Sequence, residues 1–147
     1  PLTKRAEYTG AHSGQISLPG GKSEPGEDVI DTALRECEEE VGIGRNTIEV
    51  IGKLSDFFVM PSNFMVTPVV AAIRGRALFK PDSYEVARIL NANVDDIIKD
   101  EAMKQKEILA AGRYRMHAPH FEVEGEVVWG ATAMMVNEFR MILREIL

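Results

Sequence analysis

The chain of 147 residues is 45% hydrophobic and 27% charged, the balance of one soluble domain with room for a core. Its formal net charge of −6 excludes non-specific attraction to a nucleic-acid polymer or an anionic membrane, so a phosphate-bearing ligand must be drawn by local cations or by metal. A single cysteine, Cys37, excludes an internal disulfide and a cysteine-built zinc site, and no apolar run approaches the ~20 residues of a membrane span.

The chain opens on Pro1 without an initiating Met, and Leu2-Thr3 reads as the tail of a strand that begins upstream, so a preceding segment is expected. An extended piece at Ile16 to Leu18 runs into the breaker cluster Pro19-Gly20-Gly21, and a loop follows to Asp28. A helix is then predicted over Val29 to Val41, where Ile30, Leu34, Cys37 and Val41 recur at the period of one helix face. Asp28 stands at the N-cap, Asp31 adds negative charge to the first turn, and Gly42-Ile43 has the form of a left-handed C-cap.

Ile48 to Leu54 and Phe57 to Met60 read as strands, and Pro61-Ser62-Asn63 as a turn into a third, Met65 to Ile73. Val94 to Met103 carries a short helical pattern. Tyr114 to Met116 and Val127 to Trp129 read as hairpin arms around Glu124-Gly125, and Ala131 to Leu147 as an amphipathic closing helix. Strands and helices interleave, so the expected class is α/β (α+β), with helices on a mixed sheet. No repeat or linker divides the chain, and residues 1–147 are expected to form one domain, cytoplasmic and monomeric or homodimeric.

The chemistry concentrates between Gly21 and Ile43. The predicted helix sets Glu36 and Glu40 four residues apart and Glu36 and Glu39 three apart, so the three carboxylates are expected to crowd one face. Like charges so placed repel, and a hard cation such as Mg²⁺ or Mn²⁺ takes carboxylate oxygens as ligands and resolves the repulsion. The apolar stripe lies roughly opposite, which would hold the carboxylates on a rigid element. Arg35, four residues before Glu39, can pair with it and orient it.

Gly21, Glu27, Arg35-Glu36 and Glu39-Glu40 also stand at fixed spacings, with Cys37 and Ile43 at apolar positions and Gly42 between Val41 and Ile43. A chance match to all seven fixed positions is on the order of one in a million. The stretch resembles the Nudix box. The resemblance implies an α/β/α sandwich binding one to three divalent ions, with Glu36 and Glu40 as ligands, Glu39 a ligand or water-holder, and Gly21 a backbone carbonyl ligand. It also implies Glu27 and Arg35 as a supporting pair. The expected reaction is attack of an activated water on a diphosphate. Glu85, in Tyr84-Glu85-Val86, is the candidate base outside the box.

Upstream, Leu2-Thr3-Lys4-Arg5-Ala6, then Gly14, then Leu18-Pro19-Gly20-Gly21 resembles the signature of the coenzyme A diphosphatase branch. Two positions depart from it: Gly10 replaces an Arg and Leu18 a Phe. The first removes a cation, leaving Lys4, Arg5 and Lys22 as expected phosphate contacts. Pro68-Val69-Val70 and Trp129-Gly130-Ala131-Thr132-Ala133 extend the resemblance toward the C-terminus.

The implied reaction converts coenzyme A or an acyl derivative into 4'-phosphopantetheine and adenosine 3',5'-bisphosphate. Competing readings keep the box but act on ADP-ribose, a nucleoside triphosphate or a dinucleoside polyphosphate, or keep the fold as a non-catalytic binding module. Pro61 matches the first of these in position but is also explained by a turn. Cys37 and Trp129 read as core residues, His12 as a surface or hydrogen-bonded loop residue, and His117 and His120 receive no role.

Overall fold

Short apolar runs punctuated by Gly and Pro give ten strands and three α-helices among the described residues. The computed structural model describes residues 1–10, 12–110 and 112–147. Its first half comprises β1 (Leu2–Arg5), β2 (Ile16–Ser17), α1 (Val29–Val41), β3 (Ile48–Lys53), β4 (Phe57–Val59), β5 (Phe64–Val66) and β6 (Val69–Ile73). Then come β7 (Val86–Leu90), α2 (Val94–Ile97), β8 (Lys104–Ala110), β9 (Tyr114–Val123), β10 (Glu126–Trp129) and α3 (Gly130–Ile146).

The α/β class expected from the sequence holds, but the strands pair antiparallel in every ladder among the described residues rather than as a mixed sheet. The ladders run β2-β1-β7, β10-β9-β8, β3-β6 and β4-β5. Tight connections explain part of this, because β4 to β5, β8 to β9 and β9 to β10 are joined by links too short for a parallel crossover. β2 and β10 touch without a registered ladder, and Thr132 Oγ1 donates to Ile16 O at 3.2 Å across that seam.

Helix α1 occupies the predicted span, and α3 begins one residue earlier than expected. The strand expected over Met65 to Ile73 is two strands, because Thr67-Pro68 interrupts it and the imide nitrogen of proline has no hydrogen to donate. β5 then pairs with β4, and β6 with β3. The helix expected over Val94 to Met103 contracts to the single turn of α2, followed by a 3₁₀ turn at Asp100–Ala102. Tyr114 to Met116 is the start of the ten-residue β9, whose far end makes the hairpin with β10 around Glu124-Gly125.

One buried cluster joins Leu2, Ile16, Leu90, Phe121, Val123, Val128 and Ala133, drawing both ends of the chain together. Each such side chain contributes about 1.5–3 kcal/mol when fully buried, with Ala less. Helix α3 packs on β9, β10 and β4, while α1 packs on β6 and β7. No helix among the described residues is long and apolar enough to cross a membrane.

Candidate active site

Helix α1 is fixed at both ends by its own residues. Asp28 Oδ1 accepts the Asp31 N–H at 2.8 Å, and Gly42 closes the helix in the left-handed region, φ 74°, its N–H donating to Glu38 O. A Cβ at Gly42 would lie 2.7 Å from Lys80 O, so glycine admits the incoming chain where another residue would not. That chain is clipped to the helix end by Lys80 N–H donating to Val41 O at 2.8 Å and Asp82 N–H to Glu40 O at 2.9 Å. Three residues on, Glu85 is close enough for its charge to act on the Glu40 carboxyl. Its carbonyl accepts the N–H of Ala6 at 2.9 Å, which ties the end of β1 to the same place.

The loop before the helix runs back along one of its rows. Thr32, Glu36 and Glu40 are four residues apart, so they stack on one side of α1. Thr32 Oγ1 and Ser23 Oγ are hydrogen-bonded at 2.7 Å, Gly21 abuts the Glu36 carboxylate so closely that a Cβ there would overlap Oε1, and Glu40 accepts a bond from the Gly20 N–H. This row therefore faces the loop, and Glu40 is only 8% exposed.

Glu39 is one step round the helix, and its side chain is 58% exposed. The three glutamates expected to crowd one face differ in their surroundings: Glu36 and Glu40 gather with Glu85, and Glu39 is linked to Glu36 through Arg35. Among the described residues, no three Asp, Glu, His or Cys side chains enclose one point as they stand. The expected apolar stripe is only partly covered, with Val41 buried and Ile30, Leu34 and Cys37 half-buried.

Arg35 organises the acidic groups with all five of its donor hydrogens. Nε donates to Glu27 Oε1 at 2.8 Å, Nη2 to Glu27 Oε2 and Lys22 O at 3.0 Å each, and Nη1 to Glu36 Oε1 at 3.0 Å and Glu39 Oε2 at 3.1 Å. Glu27 also accepts the Glu24 N–H at 3.0 Å and the Thr32 hydroxyl at 2.8 Å. Arg35, with help from the Glu24 N–H, holds the Glu27 carboxyl down at about 2.

Glu40 has the opposite surroundings. Burial, then the negative charges of Glu36 and Glu85, push its carboxyl up to about 7, against the opposing pull of Arg5 and the Gly20 N–H. Arg5 is exposed and makes no ion pair among the described residues, whereas Lys4 is engaged by Glu126 Oε1 at 2.7 Å. The exposed Lys22 offers its carbonyl to Arg35. His12 Nδ1 lies 3.1 Å from Gln15 Oε1, His117 is exposed, and His120 is buried with Nε2 3.7 Å from Glu122 Oε1. Burial pushes the Cys37 thiol up, which disfavours a nucleophilic thiolate. Trp129 is half-buried in β10 opposite His120.

Sequence reading did not single out Thr32 or the Gly20 N–H. The signal for Thr32 was present, since it precedes Glu36 by one helical turn on the row that carries the acids.

The chain matches the NUDIX domain family over residues 2–112. It is 32% identical over 138 residues to the "Uncharacterized Nudix hydrolase NudL" of Yersinia pestis (strain Pestoides F), covering 92% of this chain and 68% of that protein. The same figures hold for the protein of that name from Yersinia pseudotuberculosis serotype O:1b (strain IP 31758). The chain belongs to the Nudix hydrolase family and is a hydrolase of pyrophosphate bonds.

Proposed function

We propose that this Nudix hydrolase cleaves the diphosphate of coenzyme A or an acyl-coenzyme A, releasing 4'-phosphopantetheine and adenosine 3',5'-bisphosphate. The observation that carries the reading is the convergence of Glu36, Glu40 and Glu85 with a cation, Arg5, whose side chain makes no ion pair among the described residues. Arg5 belongs to the Leu2-Thr3-Lys4-Arg5-Ala6 segment, and Gly20 and Gly21 end the same upstream pattern, so the resemblance and the acidic row meet at one place. Pro61, which pointed toward ADP-ribose, sits in the 3₁₀ turn between β4 and β5 and is explained by that turn.

The residues fit a divalent ion. Their donors are hard carboxylate oxygens, burial and then the charges of Glu36 and Glu85 leave Glu40 half-protonated near neutrality, and the Arg35 cation already satisfies one oxygen each of Glu36 and Glu39. Glu36, Glu40 and the Gly21 carbonyl would hold Mg²⁺ or Mn²⁺, with Glu39 joining once Arg35 releases it. When bound, the ion neutralises the diphosphate oxygens and acidifies a water.

The protein's own groups do the rest. Arg5 and Lys22 bind phosphate oxygens, Glu27 and Arg35 keep Glu36 oriented, and Glu85 takes the proton of the attacking water. The oxygen of that water forms a new P–O bond, the bond from the same phosphorus to the bridging oxygen breaks, and the departing phosphate keeps that oxygen and the electron pair of the broken bond. Lys4 serves as a strut between β1 and β10. A single core cluster spans the family match and the residues after it, so we infer that residues 1–147 are one domain.

A panel of diphosphates with Mg²⁺ or Mn²⁺ tests the substrate. Adenosine 3',5'-bisphosphate should be released from coenzyme A faster than AMP from ADP-ribose, and equal or better turnover of ADP-ribose overturns the choice. Glu36→Gln and Glu40→Gln should each abolish turnover of every substrate, and unchanged activity in both defeats the metal assignment.

A further inference from the structure

We infer that Asp82 is a positioning residue, whose side-chain carboxylate sets where Glu85 stands against Glu36 and Glu40. The inference rests on the reading of Glu85 as the group that takes the proton of the attacking water.

Packing does not hold Glu85. Ser83, Tyr84 and Glu85 are all exposed, Tyr84 at 92%, and the next buried side chain is Val86 at the start of β7. A segment with so few buried contacts opens locally unless its hydrogen bonds restrain it.

Those bonds converge on Asp82. Its N–H donates to the carbonyl of Glu40 itself at 2.9 Å, joining the turn to the acidic row. Its own carbonyl accepts the N–H of Glu85 at 3.3 Å and that of Val86 at 2.8 Å. Its Oδ1 accepts the N–H of Tyr84 at 2.8 Å, the two-residue reach by which an aspartate side chain imitates a backbone turn.

Each peptide plane between Asp82 and Val86 is held in this way. The Asp82 carbonyl lies in the first plane, the Tyr84 N–H in the second, the Glu85 N–H in the third and the Val86 N–H in the fourth. Backbone groups restrain all of them except the second, which depends on the Asp82 side chain. Removing that carboxylate exposes the Tyr84 N–H to water, which satisfies it at small cost, so the turn loosens without unfolding the protein. Loosening matters here because a misplacement of about 1 Å at reacting groups can cost on the order of 100-fold in rate.

Steady-state kinetics of the whole chain with saturating Mg²⁺ tests this, using whichever of coenzyme A and ADP-ribose is turned over faster. Asp82→Ala should lower kcat about 10–100-fold and change KM less than about twofold, with unchanged far-ultraviolet circular dichroism. Asp82→Asn keeps the acceptor oxygen without the charge and should return kcat to within about threefold of wild type. In metal-free protein the Tyr84 amide should exchange with solvent at least about fivefold faster in Asp82→Ala than in wild type or Asp82→Asn. In a Glu85→Gln background Asp82→Ala should add no further loss, whereas a merely structural role would cost the same in both backgrounds.

An equal loss in both backgrounds overturns the inference, as do unchanged Tyr84 exchange and an Asp82→Asn as impaired as Asp82→Ala. Full activity in Asp82→Ala beside a loss in Glu85→Gln overturns it while leaving the base assignment standing. Full activity in Glu85→Gln overturns both.

Discussion

Arg35 grips Glu27 in a fork, Nε to Oε1 at 2.8 Å and Nη2 to Oε2 at 3.0 Å, and its remaining amino group spans Glu36 and Glu39. Lysine has one ammonium and cannot reproduce that plane. Arg35→Lys should therefore lower divalent-ion affinity by about 10–100-fold while the fold persists, measured by Mn²⁺ titration followed by electron paramagnetic resonance. Because Glu27 is held near 2 when folded and titrates near 4.5 when free, its favourable contribution is complete above about 4.5 and disappears as pH falls through about 2. Acid-unfolding curves of the wild type and Glu27→Gln should converge toward the acid end. Curves separated by a constant interval at every pH would contradict the pairing.

Glu40 should behave in the reverse sense in chelator-treated protein. Its folded value of about 7 exceeds the free value of 4.5, so between these the folded state holds the extra proton and stability declines as pH rises. Melting temperatures taken at intervals across that range should fall in the wild type and stay flatter in Glu40→Gln. Saturating Mg²⁺ should remove the decline, because the ion binds the deprotonated form. Parallel profiles for the two metal-free proteins would sink this account of Glu40.

Gly21→Ala places a methyl group on the Glu36 carboxylate. Gly21 is exposed and outside any helix or strand, so melting temperature should barely change. Ion affinity should drop at least about tenfold as Glu36 is displaced. Undiminished affinity by titration calorimetry would show that Glu36 has room to move without cost.

Arg5 and Lys4, adjacent in sequence, should separate cleanly. Arg5→Ala should raise KM for coenzyme A at nearly unchanged stability. Lys4→Ala breaks the bond to Glu126 and should cost no more than about 1 kcal/mol in denaturant unfolding, with KM unaltered. Interchanged effects would reverse the roles assigned to them.

Helix α1 is legible in sequence because everything that defines it is local: Asp28 caps one end, Gly42 the other, and the apolar period lies between. The spacing of Glu36 and Glu40 follows from that helix alone. What local spacing does not convey is which side of the helix the loop will cover, so Glu40 turns out to be buried and Glu39 exposed. Strands β7 and β8 are equally non-local. Val-Ala-Arg-Ile-Leu and Lys-Gln-Lys-Glu-Ile-Leu-Ala carry no clean two-residue alternation, and they are extended because β1 and β9 supply partners. The same holds for Glu85, whose proximity to Glu40 comes from a backbone clip rather than from any motif.

That clip, Lys80 and Asp82 on the last turn of α1, divides the connection between β6 and β7 into two mechanical regimes. From Lys80 onward, Glu85 travels with the helix as one piece, and its spacing from Glu40 is insulated from events upstream. Positions 76–79, which lie in no helix, strand or turn, bear no such duty. Extra residues spliced there would lengthen a tether without disturbing the carboxylates, making this the natural seam for attaching a reporter or a second module.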